Sequence, residues 1–559
     1  MLLKKGQMTA CLVCLLAVGM RASAQEIPPY DLGGASRPRP DMKLRGGDQY
    51  KRVHQTALRY ILRGELDSTE TFLNEFLAEN PEDAETLYML GILHGQRNEI
   101  DKGVDHLRRA IDVGLPEGRL LAGPRKVMEP FRDTELFESL RKKSAGRPIH
   151  GPLLGNLTDH SVSVWVRTAA ESRVQILVNE GGPVSPDSNQ TIMAGPAVRS
   201  TAEEDFAVVA TIDGLQPETV YAYAVKIDQT VPQFSEGQRF KTFPQQAKSL
   251  RFTIAFGGGA GYVPENERMW TTIAQAQPDA LLLLGDNVYI DDPESVVMQQ
   301  YTYQRRQSRP EWRALTTNTP VFTIWDDHDF STNDSWGGPD VAVPFWKQDW
   351  VFPTYRQNWA NPGYGGGADH PGCYYRFSIG DVDFFMLDCR YYRTDPRKKP
   401  RSMLGPVQKA WLRDALLESK GTFRVICSSV PWDYRTKGDS LDTWNGYQEE
   451  REEVFRFLED NQIEGVLLMS ADRHRSDAWR IERPDGYDLY EFNSSRLTNQ
   501  HVHPTMEKAG AIFSFNKPQS FGLMSFDTSA DDPQVTYEVV DINGKRPHQI
   551  TVKRSQLGR

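Results

Sequence analysis

Asp286, Asp327 and Asp472 offer hard anionic oxygens, and His474 offers an imidazole. Donors of these types suit divalent and trivalent cations. Two cations held by shared carboxylates can clamp a phosphoryl group and acidify a bound water, so that metal-bound hydroxide attacks phosphorus near neutral pH. Such a pair needs one ligand that touches both ions, and Asp286, in a Gly-Asp turn, suits the bridge. His328 adjoins Asp327 and is placed to protonate a leaving group. Taken singly, each aspartate also suits a turn or a helix cap. What they share is position, because each follows an apolar run.

Six such runs lie between residues 250 and 500. RFTIAF (251–256) enters Gly257-Gly258-Gly259, ALLLL (280–284) enters Gly285-Asp286, and VFTIW (321–325) enters Asp326-Asp327-His328-Asp329. VDFFML (382–387) enters Asp388-Cys389-Arg390, RVIC (424–427) enters Ser428-Ser429, and GVLLM (465–469) precedes Asp472-Arg473-His474. Short apolar runs suit strands buried on both faces. Helical spacing at 406–419 and 448–460 alternates with them. The pattern predicts a layered α/β core whose ligand site lies beyond the carboxyl ends of its strands, where the polar residues fall.

Residues 150 to about 530 resemble the alkaline phosphatase D (PhoD-like) family of secreted metallophosphoesterases. The likeness rests on GDNVY (285–289), WDDHDF (325–330), LDCRYYR (387–393), MLGPVQKAWL (403–412), DTWNGYQEER (442–451), SADRHRSD (470–477) and EFNSSRLTN (491–499), in that order. GPLLGNLTDHSVSVWVRT (151–168) resembles the domain that precedes the catalytic part in that family. The resemblance implies that Asp286 bridges two metal ions and that Tyr289 ligates one as phenolate. A phenol of ordinary pKa about 10 ionises only beside strong positive charge, which points to a Lewis acid such as ferric iron. It further implies Asp327 on the second ion, His328 facing substrate as proton donor, and Asp472 and His474 completing the metal shells. Arg390, and less so Arg393, would hold phosphate oxygens in a bidentate fork. Tyr289 also suits a packing aromatic, and either arginine a salt bridge. Iron, calcium, manganese and zinc are the candidate ions.

One position departs from the family. A cysteine ligand usually follows the first catalytic strand, whereas FGGGAGY (256–262) places Gly259 there. Loss of a thiolate favours harder, oxygen-preferring ions. The glycines suit either a tight turn or a close approach of backbone N–H groups to phosphate. Cys389 lies at a strand end beside Asp388 and is not assigned as a ligand.

The rest of the chain must position this site. At 559 residues the protein exceeds one hydrophobic core. Lys4, Lys5, the apolar stretch 8–20 and Ala22-Ser23-Ala24 have the order of a secretory signal cleaved after Ala24. Periplasmic or secreted placement is therefore expected, and no later run has the length of a membrane span. Loss of Lys4, Lys5 and Arg21 takes the formal charge from −10 to −13, which argues against a general nucleic-acid binder. Cys373, Cys389 and Cys427 remain, enough for at most one disulfide.

Residues 25–50 suit an extended leader. Residues 51–146 carry helical spacing, with Gly64-Glu65-Leu66 echoed 34 residues on by Asn98-Glu99-Ile100, the tetratricopeptide period. Such helices serve either as a groove for a protein partner or as a brace on the same chain, and so short an array favours the brace. Residues 147–246 alternate with period two, as in a fibronectin-like antiparallel β-sandwich. Residues 247–559 form the catalytic domain. The loop 331–350 carries three tryptophans suited to a substrate wall or to the core. The expected fold is thus α/β: a layered metallophosphoesterase-type core with flanking helices, preceded by a small β-sandwich and a short helical repeat region. The expected function is an exported metal-dependent phosphohydrolase acting on a phosphoester. The alternative is a helical-repeat assembly protein whose metal site is weak or inactive.

Overall fold

The structure is a computed structural model, and it describes residues 50–181, 192–230, 234–235 and 237–559. The expected signal segment, nearly all of the leader and most of the turn at 180–190 lie outside the described residues. The six apolar runs all form strands, three in each of two sheets. Arg251–Gly257, Ala280–Leu284 and Val321–Ile324 pair in parallel within a nine-stranded sheet. Val382–Met386, Phe423–Cys427 and Val466–Ser470 pair in parallel within a seven-stranded sheet, which Leu489–Asn493 continues.

Aromatic rings join the two sheets face to face. Phe322 stacks on Phe377 at 3.9 Å, Phe526 meets Phe384 and Phe423 at 6.0 Å, and Phe492 meets Tyr537 at 5.0 Å. Each ring pair adds about 0.5–1.5 kcal/mol to the burial of its area. Helices Gly405–Glu418 and Gln448–Asp460 cover the second sheet through Leu412, Leu416, Phe455 and Leu458, which share a cluster with Leu468 of that sheet. At one edge the sheets are stitched directly, because Gly258 bridges to Ser495 and its N–H donates to the Ser494 carbonyl at 3.1 Å.

The segment 147–246 divides between two sheets. Ser172–Glu180, Val220–Ile227 and Arg239–Lys241, with two short strands, form an antiparallel sheet of their own. His150–Gly155, Ser161–Arg167 and Ala207–Asp213 instead extend the nine-stranded sheet, joined to it by the parallel pairing of Gly155 with Val321. The extension meets the outer side of Val321–Ile324 at Val321, and further along Asn361 takes the place of a strand, accepting from the Thr323 N–H at 2.9 Å and donating to its carbonyl at 3.0 Å.

Helices Tyr50–Leu62, Leu66–Glu79, Ala84–Gln96 and Ile100–Asp112 occupy the segment of helical spacing, and Glu135–Lys143 follows. They seat on Val296–Ser308, where Tyr301 donates to Glu85 at 2.9 Å and Gln304 donates to the Ala122 carbonyl at 3.0 Å. Of the loop tryptophans, Trp336 and Trp346 are buried, and Trp346 packs edge-on against Phe330 at 5.3 Å. Cys373, Cys389 and Cys427 are buried free thiols. Among the described residues no helix is long and apolar enough to cross a membrane.

Two helices approach through glycine. A Cβ on Gly103 would stand 2.6 Å from the Phe131 ring and 3.1 Å from the Gly91 carbonyl oxygen. Gly103→Val should therefore destabilise the protein by about 1–3 kcal/mol through overpacking, measured as a lower thermal midpoint.

Candidate active site

Two turns at adjacent strand ends build the site. Beyond Ala280–Leu284, Gly285 takes φ +100°, where a Cβ would stand 2.5 Å from Asp326 Cβ. Asp286 follows at φ +54°, a conformation that non-glycine residues keep only when the surroundings impose it. Beyond Val321–Ile324, Asp326 caps the short helix Asp327–Phe330. Asp329 locks the two turns together by accepting from the backbone N–H of Asn287 at 3.2 Å, Val288 at 3.1 Å and Asp326 at 3.0 Å. Asp327 accepts from the N–H groups of His328 at 2.9 Å and Asp334 at 2.6 Å.

The result is one tight group, in which ligand atoms of Asp286, Asp327 and His328 all lie within 4.8 Å of one another. Tyr289 donates its phenol to Asp286 Oδ2 at 2.7 Å and accepts from Asn499 Nδ2 at 2.7 Å. Its ring lies 4.3 Å from that of His328. His328 Nδ1 meets Asp291 Oδ1 at 2.5 Å, and Arg52 pairs with the same carboxylate.

His474 comes in from the second sheet, and Gly259 lies beside it: a Cβ at Gly259 would stand 3.5 Å from His474 Nδ1. The rings of His501 and His503 lie 5.0 and 5.6 Å from that of His474. Asp472 and His474 stand outside the tight group. Asp472 instead accepts from Lys437 Nζ at 3.2 Å, which also donates to Asp442 at 3.0 Å. Asp327, Asp334 and Asp442 form a second acidic group beside the first.

Arg390 differs from the expectation that it holds phosphate. Its Nε donates to Asp326 Oδ1 at 2.6 Å, Nη1 to Asp442 Oδ1 at 2.7 Å and to the Ser335 carbonyl at 3.0 Å, and Nη2 to Asp442 Oδ2 at 3.3 Å. Arg393 pairs with Asp442 at 2.9 Å and donates to Tyr447 at 2.9 Å. So many buried carboxylates lie behind the site that both guanidinium groups are drawn under it as counterions.

The electrostatics call for a cation. Burial, with the carboxylates of Asp327, Asp326 and Asp329, holds the Asp286 carboxyl well above its usual range against the pull of His328. Burial lifts Asp326 to about 7 despite Arg390. Burial and Asp286 also hold the Tyr289 phenol well above its ordinary value. Burial would lower His328, but Asp291, Asp327 and Asp286 outweigh it and raise the imidazole to about 9. Asp286 Oδ1, Asp326 Oδ2 and His474 Nδ1 are buried without a hydrogen-bond partner. Orphaned acceptors on ligand-type side chains are what a metal site has before its ion is counted. The donor set therefore fits a metal centre.

Sequence reasoning did not single out Asp291, Asn499 or Lys51. Asp291 and Asn499 reach the site from loops. Lys51 reaches it from the first helix, its Nζ 3.3 Å from the Tyr289 ring centroid. Nothing in the local pattern of Lys51 separates it from a surface lysine, whereas Asp291 lies two residues beyond Tyr289 and Asn499 within EFNSSRLTN.

The family model of PhoD-like phosphatases matches residues 254–538, and a domain of unknown function (DUF7800) matches residues 147–245. Alkaline phosphatase D of Bacillus subtilis (strain 168) is 24% identical over 393 residues, 62% of this chain and 63% of that protein. The chain thus spans less than two thirds of that relative's length. A solved structure of PhoD superposes with a TM-score of 0.60 at 18% identity, covering 73% of this chain and 90% of the other. Purple acid phosphatase PPD1 from yellow lupin (Lupinus luteus) seeds gives 0.55 at 13% identity, covering 73% and 75%. Both likenesses are of fold.

Replacing Asp329 by alanine would strand three buried N–H groups at about 1–3 kcal/mol each. Asp329→Ala should cost at least about 3 kcal/mol, seen as a lower denaturant midpoint at unchanged slope.

Proposed function

The chain belongs to the PhoD-like phosphatase family, and on that premise we propose that it is an exported, metal-dependent phosphohydrolase cleaving phosphomonoesters or phosphodiesters. The observation that carries this is the convergence of Asp286, Asp327 and His328 within 4.8 Å, beside the unpartnered Asp286 Oδ1. Asp286 would be shared between two ions, with Tyr289 on one and Asp327 on the other, and Asp472 and His474 completing the set. Bound ions supply Lewis acidity, which polarises a phosphoryl oxygen and acidifies a water. Tyr289 asks for a strongly acidic ion such as ferric iron, and the carboxylates equally suit calcium, manganese or zinc.

The chain's own groups do the rest. Asp291 holds His328 Nδ1 and so fixes the ring, leaving Nε2 to give its proton to the departing alkoxide. Arg52, paired with Asp291, keeps that carboxylate in place. Arg390 acts as a positioning residue, holding Asp326 beneath the turn that presents Asp327 and His328. Export is supported by the charged, apolar and small-residue order of residues 1–24.

Loaded with iron, calcium, manganese or zinc, the purified protein should hydrolyse aryl mono- or diesters between about pH 6 and about pH 10. Asp286→Asn should lose metal and at least about 100-fold in rate together, with its melting profile retained. Activity persisting in Asp286→Asn removes the bridge, and silence from every metal-loaded sample removes the enzyme. Amino-terminal sequencing of protein recovered from an exporting host should begin at Gln25, and an intact Met1 would count against cleavage.

A further inference from the structure

The positive charge expected at the phosphate is missing from its expected place, since Arg390 and Arg393 are spent on Asp326 and Asp442. A different basic side chain stands in the site. Lys51 belongs to helix Tyr50–Leu62, far from the catalytic motifs in sequence, yet its side chain is 2% exposed and its Nζ lies 3.3 Å from the Tyr289 ring centroid. The glycine-rich loop makes room for it, because a Cβ on Gly261 would stand 3.2 Å from Lys51 Cδ.

The helix that carries it is pinned against the loop after Tyr289. Arg52 pairs with Asp291, Gln55 donates to the Tyr289 carbonyl, and Arg59 donates to the Asp291 carbonyl at 3.0 Å and to Asp292 at 3.1 Å. Residues 51, 52, 55 and 59 share one helical face, and all four meet the loop 289–292 or the Tyr289 ring.

A buried lysine that serves only as a counterion is hydrogen-bonded to its acceptors, and comparison shows how Lys51 differs. Lys347 gives its ammonium to the carbonyls of Gly337, Gly338 and Tyr391 at 2.9, 3.2 and 3.3 Å. Lys437 gives its own to Asp442 and Asp472. Lys51 Nζ donates to no oxygen of the described residues, although Asp286, Asp291 and Asp327 lie within electrostatic reach. Asp286 Oδ2 is engaged by Tyr289, and Asp291 by His328 and Arg52. Burial and Arg52 favour the uncharged form of Lys51 against the pull of Asp291, Asp286 and Asp327, and in either form it carries N–H donors to spare beside the ligand-type side chains, which match the need of an anionic phosphoryl oxygen.

We propose that Lys51 contacts the phosphoryl group of the substrate, so that the amino-terminal helix forms part of the active site. The proposal rests on the phosphohydrolase function above. It assigns the helix Tyr50–Leu62 a place in the reaction cleft and gives Gly261 a purpose, the passage of a lysine stem.

The test compares full-length, metal-loaded wild type with Lys51→Met and Lys51→Arg, using inorganic phosphate as the probe. Removing one charge-assisted hydrogen bond should weaken phosphate inhibition and lower kcat/KM for an aryl phosphoester by about 10- to 100-fold in Lys51→Met. Metal content by elemental analysis should stay at the wild-type value, and Lys51→Arg should recover part of the phosphate affinity. Phosphate affinity and kcat/KM unchanged in a folded Lys51→Met would overturn the assignment. So would a variant that gains an extra metal ion while binding phosphate normally, since the side chain would then be a stand-in for a cation. If Lys51→Met fails to fold, Lys51→Gln is read by the same criteria. A wild type that neither hydrolyses esters nor binds phosphate removes the underlying function instead, an outcome separate from a wild type that does both while Lys51→Met matches it.

Discussion

Asp286, Asp326, Asp327 and Asp329 are buried together where two sheets meet, and their mutual repulsion governs the structure around them. Carboxylates taken out of water are tolerated only when paired, hydrogen-bonded or bound to metal. Asp329 answers with three backbone N–H groups, and Asp326 answers with Arg390 and Ser429. Asp286 keeps one oxygen for Tyr289 and one without a protein partner. That remaining acceptor is the centre's open valence, and the chemistry proposed here grows from it.

Satisfying the outer carboxylates has a structural consequence. Asp442 draws in Arg390, Arg393 and Lys437, and Lys437 in turn reaches Asp472. The charges that resemblance assigned to substrate or metal are therefore partly committed to one another. This leaves the tight group of Asp286, Asp327 and His328 on one side and Asp472 on the other, linked through a chain of ion pairs. His474 sits across the gap left by Gly259, its Nδ1 unpartnered. A centre without a side chain at position 259 depends more heavily on these oxygen and imidazole donors than one with a thiolate.

The helical segment is tied to this electrostatic arrangement and not merely appended. Arg52 supports Asp291, which orients His328, and Lys51 stands on Tyr289. Its neighbours seat on Val296–Ser308, a helix of sequence VVMQQYTYQRRQS that is buried along most of its length despite its polarity. That helix is also held on other sides, with Gln304 donating to Asp205 at 3.0 Å and Gln307 to the Asn358 carbonyl at 2.9 Å. Buried amides and guanidiniums of this kind act as directional fasteners between the helical segment, the antiparallel strands and the catalytic sheets.

Legibility from sequence followed the range of the forces involved. Apolar runs of four to six residues predicted the six core strands because burial on both faces demands local hydrophobicity, and the residues following them marked the site because a parallel sheet brings strand ends together. Asp286, Asp327 and His328 were legible for that reason, whereas Tyr289 was implied only by the family resemblance. The polar helix Val296–Ser308 was not, since without an apolar stripe only its surroundings on all sides make it buried. Nor were the commitment of Arg390 to carboxylates, the joining of strand His150–Gly155 to the catalytic sheet, or the entry of Lys51. Local pattern alone determined the six core strands, the helices that carry an apolar face and the chemical kinds of residue at the strand ends. Tertiary structure decided which charges meet, because a buried ion's partner is chosen by proximity across the fold and leaves no period in the chain.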